Sequence, residues 1–528
     1  MTFPLRRPAR HVVLLLLLAA LIRPVGAQQG HPPKDLDAFV TRVMRQFEVP
    51  GLALAIVKDD QVVLAKGYGV RTLGDSARVD AQTLFGIASN TKVFTATAIG
   101  MLVEQGLLEW DAPVIRYLPW FAMWDSWVTQ QITIRDLLVH RSGLGLGAGD
   151  LLWWPISTYT RKEIAYRLRY IQPVASFRSA YAYDNVLYLV AGEVIEAVSG
   201  QPWEQFVKTR ILDRVGMTGA NVMHSGAAAT GNVATTHARV DGAVRPVQPF
   251  TSDNTNPAGG INAGAADMAK WVMVQLDSGR LADGSRLFSP RTARELWTTV
   301  VPRPGIVPPP ELPPLRSSFD GYALGLNVRD YRGKKLVMHS GGLPGYVSRV
   351  AFLPDEKLGV VVLTNMESGA AFDAIAFTII DSYLGAPTFD WLGGYVAVEK
   401  RNAARIAAAD TRTATARDTT SQPSLPLARY TGTYEDAWYG DIALALEDGH
   451  LVMRFGHTPS LVGDLTHWQY DTFVVRWRDH ELRADAFVTF ALNPDGSINQ
   501  AKMRAVSPST DFSFDFQDLL LKPKPASP

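Results

Sequence analysis

Apolar residues recur at helical spacing from Leu36 to Gln46 and then give way to two apolar runs, Gly51 to Val57 and Gln61 to Tyr68, split by Lys58-Asp59-Asp60. The first stretch predicts a helix and the pair predicts a β-hairpin. Helical spacing returns at Phe94, Ala98, Met101 and Leu102, and the positions between them are also mostly apolar, which predicts a buried helix ending near Gly106. From Trp110 to about Asn254 the pattern breaks into short helices and loops, with helices expected at Thr133 to Val139, Arg161 to Ile171, Tyr188 to Val198 and Trp203 to Ile211. Helices resume at Gly264 to Leu276 and Ser289 to Thr299. Pro302 to Leu315 is so proline-rich that it predicts an extended loop, long enough to border or cover a site.

Strand-like runs follow at hairpin distances, Tyr322 to Arg329, Leu336 to His339, Val347 to Leu353 and Gly359 to Thr364, and Ala370 to Leu384 is an apolar helix suited to packing across the sheet they imply. The fold class is therefore α/β (α+β), an antiparallel sheet flanked by helices, with the N-terminal hairpin in the same sheet and a mainly helical subdomain over about 110–254. Ala403 to Pro426 lacks aromatic residues and is rich in Ala, Thr, Arg, Asp and Ser, the composition of a linker. Beyond Tyr430 short alternating strands dominate, Ile442 to Leu446, Leu451 to Phe455, Thr472 to Trp477, Ala486 to Leu492 and Lys502 to Val506, which predicts a small C-terminal all-β barrel. The expected division is a signal peptide at 1–27, a first domain at 33–388, a linker at 389–426 and the barrel at 427–522.

Composition narrows this picture. The chain has 528 residues, 47% of them apolar and 20% charged, an ordinary globular balance, and its net charge of +1 gives no reason to expect nucleic acid as a partner. Arg6, Arg7 and Arg10 precede the apolar run Val12 to Ile22, and Val25-Gly26-Ala27 supplies a small-residue cleavage site, so the protein is expected to be exported, periplasmic or secreted, with no stable membrane span after signal cleavage. Cysteine is absent, which excludes disulfides, thiol catalysis and thiolate metal sites.

Candidate chemistry concentrates at three places. Ser89 and Lys92 lie three residues apart at the start of the buried helix, where their side chains can touch, a nucleophile beside a base; the alternative is that Ser89 only caps the helix. A cation in a helix's first turn opposes the dipole, and an apolar setting favours neutral lysine, the form able to accept a proton. Tyr183-Asp184-Asn185 precedes a later helix, so that Tyr183 and Asn185 can point into one pocket; the alternative is a capping turn in which Asn185 or Asp184 satisfies backbone groups. His339-Ser340-Gly341-Gly342 ends a strand, where small residues let a substrate backbone approach and a free N–H can face an oxyanion. Gly143 to Gly149 is glycine-rich, but no strand precedes it and no helix follows, so it does not fit a dinucleotide loop.

In this order, Ser-x-x-Lys, Tyr-x-Asn and His-x-Gly resemble the three motifs of the serine β-lactamase and penicillin-binding-protein superfamily, specifically its class C β-lactamase-related group. Leu137 to Leu144, Gly259-Gly260-Ile261 and Leu353-Pro354 with Gly359 to Asn365 look like the same family, and the resemblance spans about residues 35 to 385. It implies Ser89 as the acylated nucleophile, Lys92 as its proton acceptor and Tyr183 as acid/base. Asn185, His339, Ser340 and Gly341 would bind substrate, and the backbone N–H groups of Ser89 and Gly342 would form the oxyanion hole. No metal or organic cofactor is implied. His339 stands where β-lactamases and transpeptidases of the superfamily carry lysine, so the permanent cation that attracts a substrate carboxylate is missing. The resemblance is then to D-aminopeptidases and esterase-like members, several of which carry a lipocalin-like C-terminal domain. The expected activity is hydrolysis of amides or esters, including D-amino-acid peptides, through an acyl-enzyme, with a small peptide, ester or β-lactam-like molecule as substrate. Alternatives are a β-lactamase or D-alanyl-D-alanine carboxypeptidase, and, from another class, a non-catalytic binder of cell-wall peptide or ligand.

Overall fold

The computed structural model describes residues 31–226 and 231–525; the expected signal peptide lies outside them. An eight-stranded antiparallel sheet runs in the order Gln61–Gly69, Gly51–Lys58, Leu358–Thr364, Tyr346–Leu353, Lys334–Leu343, Asn327–Tyr331, Asp320–Tyr322 and Val301–Arg303. The N-terminal hairpin thus joins the later strands, with Leu52 opposite Thr364 and Val57 opposite Gly359. Both sheet faces are covered, which is why the central strands read as continuous apolar runs rather than alternating ones. Leu52, Leu54 and Ile56 pack with helices Leu36–Gln46 and Gly369–Tyr383, whereas Ala53, Ala55 and Val57 belong to the core on the other face, against helix Ala265–Leu276.

Three expectations change. Tyr322 to Arg329 is not one strand but two, Asp320–Tyr322 and Asn327–Tyr331, because the chain turns between them at Gly325. Gly325 has φ +79°, and a Cβ there would come within 3.0 Å of the Lys92 carbonyl, so the turn presses against the start of the buried helix. The stretch expected as a linker is largely the helix Trp391–Thr415, started by the Asp390 side chain, which accepts from the Gly393 N–H, and docked by Trp391 stacking on Phe377. The docked residues cluster in its first turns and the remainder is surface, so composition there recorded solvent exposure rather than lack of structure. Pro302 to Leu315 begins as an edge strand and ends as a short 3₁₀ turn, with Leu312 buried beside Gly394 and Glu311 paired to Arg401 at 3.3 Å.

The helical part centres on Val186–Ser199, buried along most of its length. A small hairpin, His237–Val240 with Ala243–Pro246, has no counterpart in the expected pattern. The C-terminal strands form a closed eight-strand barrel in which Gly432–Asp436 pairs with Leu520–Pro523 to seal the cylinder. Aromatic side chains fill it, Tyr430 against Phe473 and Phe490 at one end and Phe455 against Trp477 and Phe516 at the other. The barrel abuts the helical part, where Tyr159 stacks on His457 at 3.9 Å and Phe514 packs against Trp154, and it also meets the sheet side, where Arg483 pairs with Glu367 at 2.6 Å just after the strand Leu358–Thr364.

Candidate active site

The turn that carries Ser89 is held from both sides. Residues Ala88–Thr91 form a single 3₁₀ turn leading directly into the helix Lys92–Glu104. Ala88 has φ +49°, a conformation that costs a non-glycine residue on the order of 1–3 kcal/mol and persists only where the surroundings enforce it. Here the Ile87 N–H donates to the Ile261 carbonyl at 2.9 Å, the Ile261 N–H donates to Thr91 Oγ1 at 3.1 Å, and Ser348 Oγ donates to the Ile87 carbonyl at 2.8 Å. Ser89 makes no capping bond, so the capping alternative fails. Its hydroxyl is half-buried, flanked by buried Asn90, Thr91 and Lys92.

Lys92 is fully buried, and its Nζ touches three oxygens: Ser89 Oγ at 3.0 Å, Asn185 Oδ1 at 2.8 Å and the Ala258 carbonyl at 3.1 Å. Burial lowers its pKa to about 7, against the opposing pull of the Asp150 and Asp184 carboxylates, so the amine divides between charged and neutral forms near neutrality. Tyr183 approaches Ser89 from another side, its hydroxyl donating to Oγ at 2.8 Å. Desolvation raises the Tyr183 pKa well above the ordinary phenol value, partly offset by the Ser89 contact, so the phenol keeps its proton. His140, behind it at 4.3 Å between ring centroids, is held neutral by burial and by the nearby Lys92 charge.

Asn185 lies beside Lys92 rather than standing free for substrate. Its Oδ1 accepts from Lys92, and its Nδ2 donates to Asp150 Oδ2 at 2.9 Å, which leaves one amide hydrogen for anything else.

His339, Ser340, Gly341 and Gly342 form the end of Lys334–Leu343, beyond Met338, where the pairing with Asn327–Tyr331 stops. Gly341 is where this strand touches the serine turn: a Cβ would fall 2.1 Å from the Ile87 carbonyl oxygen. Ser340 is half-buried, and Gly342 is exposed, with nothing within 4 Å of where its Cβ would be. The His339 ring is buried, its Nε2 3.0 Å from the Tyr322 hydroxyl and its Nδ1 2.6 Å from the Ser340 carbonyl. Burial, then the Lys92 charge, lowers its pKa to about 3, so it carries no charge at neutral pH.

Several residues at the site have no motif to announce them. Asp150 closes the glycine-rich loop, and the backbone carbonyl of Ala258 cannot be read from a sequence at all. The least expected come from the barrel, whose segment between Ile498–Ala505 and Leu520–Pro523 reaches the site. Phe512 stands edge-on to the Tyr183 ring at 6.1 Å, Ser513 Oγ donates to Asp150 Oδ2 at 2.8 Å, and Asp515 accepts the Gly149 and Leu151 N–H groups at 2.7 and 3.0 Å. No sequence expectation covers this segment, which runs through turns and the 3₁₀ turn Phe516–Asp518.

A serine with a buried lysine and a tyrosine on its hydroxyl, set between a helix and the edge of an antiparallel sheet, defines a serine hydrolase of the β-lactamase and transpeptidase kind. The chain belongs to the beta-lactamase family, whose sequence profile matches residues 36–384, and a domain of unknown function, DUF3471, matches residues 416–523. It is 28% identical over 445 residues to the unguisins hydrolase ungD of Aspergillus violaceofuscus, covering 79% of this chain and 77% of that protein. It is 27% identical to penicillin-binding protein 4 of Amycolatopsis lactamdurans over 64% of this chain and 85% of that one. The octameric penicillin-binding protein homologue from Pyrococcus abyssi shares the fold across both domains, with TM-score 0.58, 22% identity and coverage of 92% of this chain and 99% of its own. A D-stereospecific amidohydrolase from Streptomyces sp. matches with TM-score 0.51 and 21% identity over 66% of this chain and 98% of its own.

Proposed function

We propose that the protein is an exported serine hydrolase that cleaves amides and esters, D-amino-acid peptides among them, through an acyl-enzyme on Ser89. The observation that carries this reading is the Ser89 hydroxyl held at once by Lys92 Nζ at 3.0 Å and by the Tyr183 hydroxyl at 2.8 Å. Neutral Lys92 takes the Ser89 proton as Oγ adds to the substrate carbonyl carbon. The Ser89 and Gly342 N–H groups receive the oxyanion, worth on the order of 3 kcal/mol per donor in comparable sites. Tyr183, which retains its proton, donates it to the departing amine or alcohol and regains one from the protonated lysine; water then releases the acyl group. The barrel is read as lipocalin-like, and no metal or organic cofactor takes part.

The substrate class rests on His339. A neutral, buried imidazole offers no cation to a carboxylate, which disfavours penicillins and peptides recognised through a free C-terminus. Relatives described as a hydrolase of unguisins and as a D-stereospecific amidohydrolase support amide chemistry. A non-catalytic binder would have no use for a buried lysine aimed at a serine, an arrangement that costs stability.

The test is side-by-side profiling of the mature protein on short-chain aryl esters, D-amino-acid amides and β-lactams, with a fluorescent acylating probe. Turnover of the first two groups, poor β-lactam turnover, and labelling lost in Ser89→Ala are expected. Unlabelled wild type or undiminished labelling of Ser89→Ala would refute the acyl-enzyme, and rapid β-lactam turnover would refute the substrate class.

A further inference from the structure

We infer that Asp150 and the barrel residue Ser513 are positioning residues for Lys92, which they serve by fixing the orientation of the Asn185 amide. The inference rests on the reading of Lys92 as the base for Ser89. A neutral lysine has two N–H bonds and one lone pair. Asn185 Oδ1 and the Ala258 carbonyl can only accept, so at 2.8 and 3.1 Å they take both hydrogens, and the lone pair is left for the third neighbour, the Ser89 hydroxyl at 3.0 Å. That geometry holds only while Asn185 presents its oxygen to Lys92. Presented with the NH₂ end instead, the lysine would have to spend its lone pair on Asn185 and could not accept from Ser89.

The Asn185 orientation is set one step further out. An ionised Asp150 is acceptor-only, so it selects the Nδ2 end of Asn185 at 2.9 Å. Asp150 is fully buried, and burial raises its pKa to about 7 against three donors: Trp153 Nε1 at 2.8 Å, Ser513 Oγ at 2.8 Å and Asn185 itself. Two of these donors come from the hydrolase domain. The third comes from the barrel, on a segment anchored by Asp515 to the Gly149 and Leu151 N–H groups on either side of Asp150. The titratable groups around Asp150 are Lys92, Asp184 and Asp515, and those around Lys92 add His140, His339, Tyr183 and Tyr188, both histidines being held neutral and both phenols protonated by burial. If Asp150 gained a proton it could donate to Asn185 and reverse the amide. The hydroxyl of Ser513 therefore keeps the whole line polarised toward Ser89.

The test is the pH dependence of kcat/KM for p-nitrophenyl acetate in the full-length mature protein. Ser513→Ala removes a donor from Asp150, so the acidic limb should move to higher pH by about one unit, the size expected for one hydrogen bond to a charged group, with kcat reduced about tenfold and KM little changed. Asp150→Asn keeps the shape but removes the titration and the charge that supports protonated Lys92, so its limb should move to lower pH while the plateau falls. Phe514 packs on Trp154 and Phe516 rather than on Tyr183 or the line, so Phe514→Ala loosens the same segment and should leave the limb in place. An unmoved limb in both Ser513→Ala and Asp150→Asn, or an equal shift in Phe514→Ala, overturns the inference. A wild type without an acidic limb or without turnover overturns the reading of Lys92 instead.

Discussion

At the scale of single residues, the site depends on one amine kept dry. Lys92 reaches a pKa of about 7 because burial outweighs the two carboxylates, Asp150 and Asp184, that oppose it. The sign follows from which form reacts. Below about 7 the amine is protonated and cannot accept from Ser89; above it the lone pair is free. Asp150, whose pKa burial raises to about 7, must also be ionised to orient Asn185, so the two groups share one limb and wild-type kcat/KM is expected to rise with pH and to reach half its plateau near pH 7. Tyr183 is held well above the ordinary phenol value, so no matching fall is expected as an ordinary tyrosine titrates near pH 10. A stopped-flow or plate-reader pH series checks both limbs, and a flat profile from pH 5 to 8 would contradict the base assignment. Ser89, Lys92 and Tyr183 were legible because each belongs to a short motif with a chemical reason for its spacing. Asp150, Ser513 and the Ala258 carbonyl were not, since their part is played through contacts that join residues more than 300 positions apart, or through backbone that any residue could supply.

At the scale of elements, the central apolar strands and the long buried helices were legible from periodicity, because burial on both faces leaves an unambiguous run. The break at Gly325 and the helix at Trp391–Thr415 were not, since in the first a close approach to another element decides the conformation and in the second most of the helix faces water. The approach between the serine turn and the strand Lys334–Leu343 has the same character. Its measure is Gly341, where a Cβ would sit 2.1 Å from the Ile87 carbonyl, 2.6 Å from Ser348 Oγ and 2.9 Å from the Ala88 Cβ. The turn cannot retreat freely, because Ile87 is tied to Ile261 on its far side. Gly341→Ala should therefore displace Ser89 relative to Lys92. A displacement of about 1 Å costs on the order of a hundredfold in rate, whereas overpacking of this kind costs about 1–3 kcal/mol of stability. The expected result is a folded protein, by circular dichroism, that has lost most of its turnover; a variant with wild-type kcat would show that the strand and the serine turn are not coupled.

At the scale of the molecule, the barrel is part of the hydrolase rather than an appendage. The family match at 36–384 contains Ser89, Lys92, Tyr183 and His339, so on sequence alone the first domain looks sufficient. The contacts point the other way. Without the barrel, Tyr159 loses His457, Trp154 loses Phe514, Asp150 loses Ser513, and the Gly149 and Leu151 N–H groups lose Asp515. Exposing these two large aromatic side chains forfeits about 2 kcal/mol each, a total close to the lower end of the roughly 5–15 kcal/mol by which a domain is stable at all. A chain ended at Thr415 should therefore aggregate or melt at a markedly lower temperature. Any fraction that stays folded should turn over p-nitrophenyl acetate at no more than about a tenth of the full-length rate, since the Asn185 amide is then held from one side fewer and a tenfold loss needs only about 1.4 kcal/mol. Size-exclusion chromatography, thermal denaturation and turnover on the same preparation separate the two effects, and a monodisperse truncated protein with full activity would show that the barrel serves recognition alone.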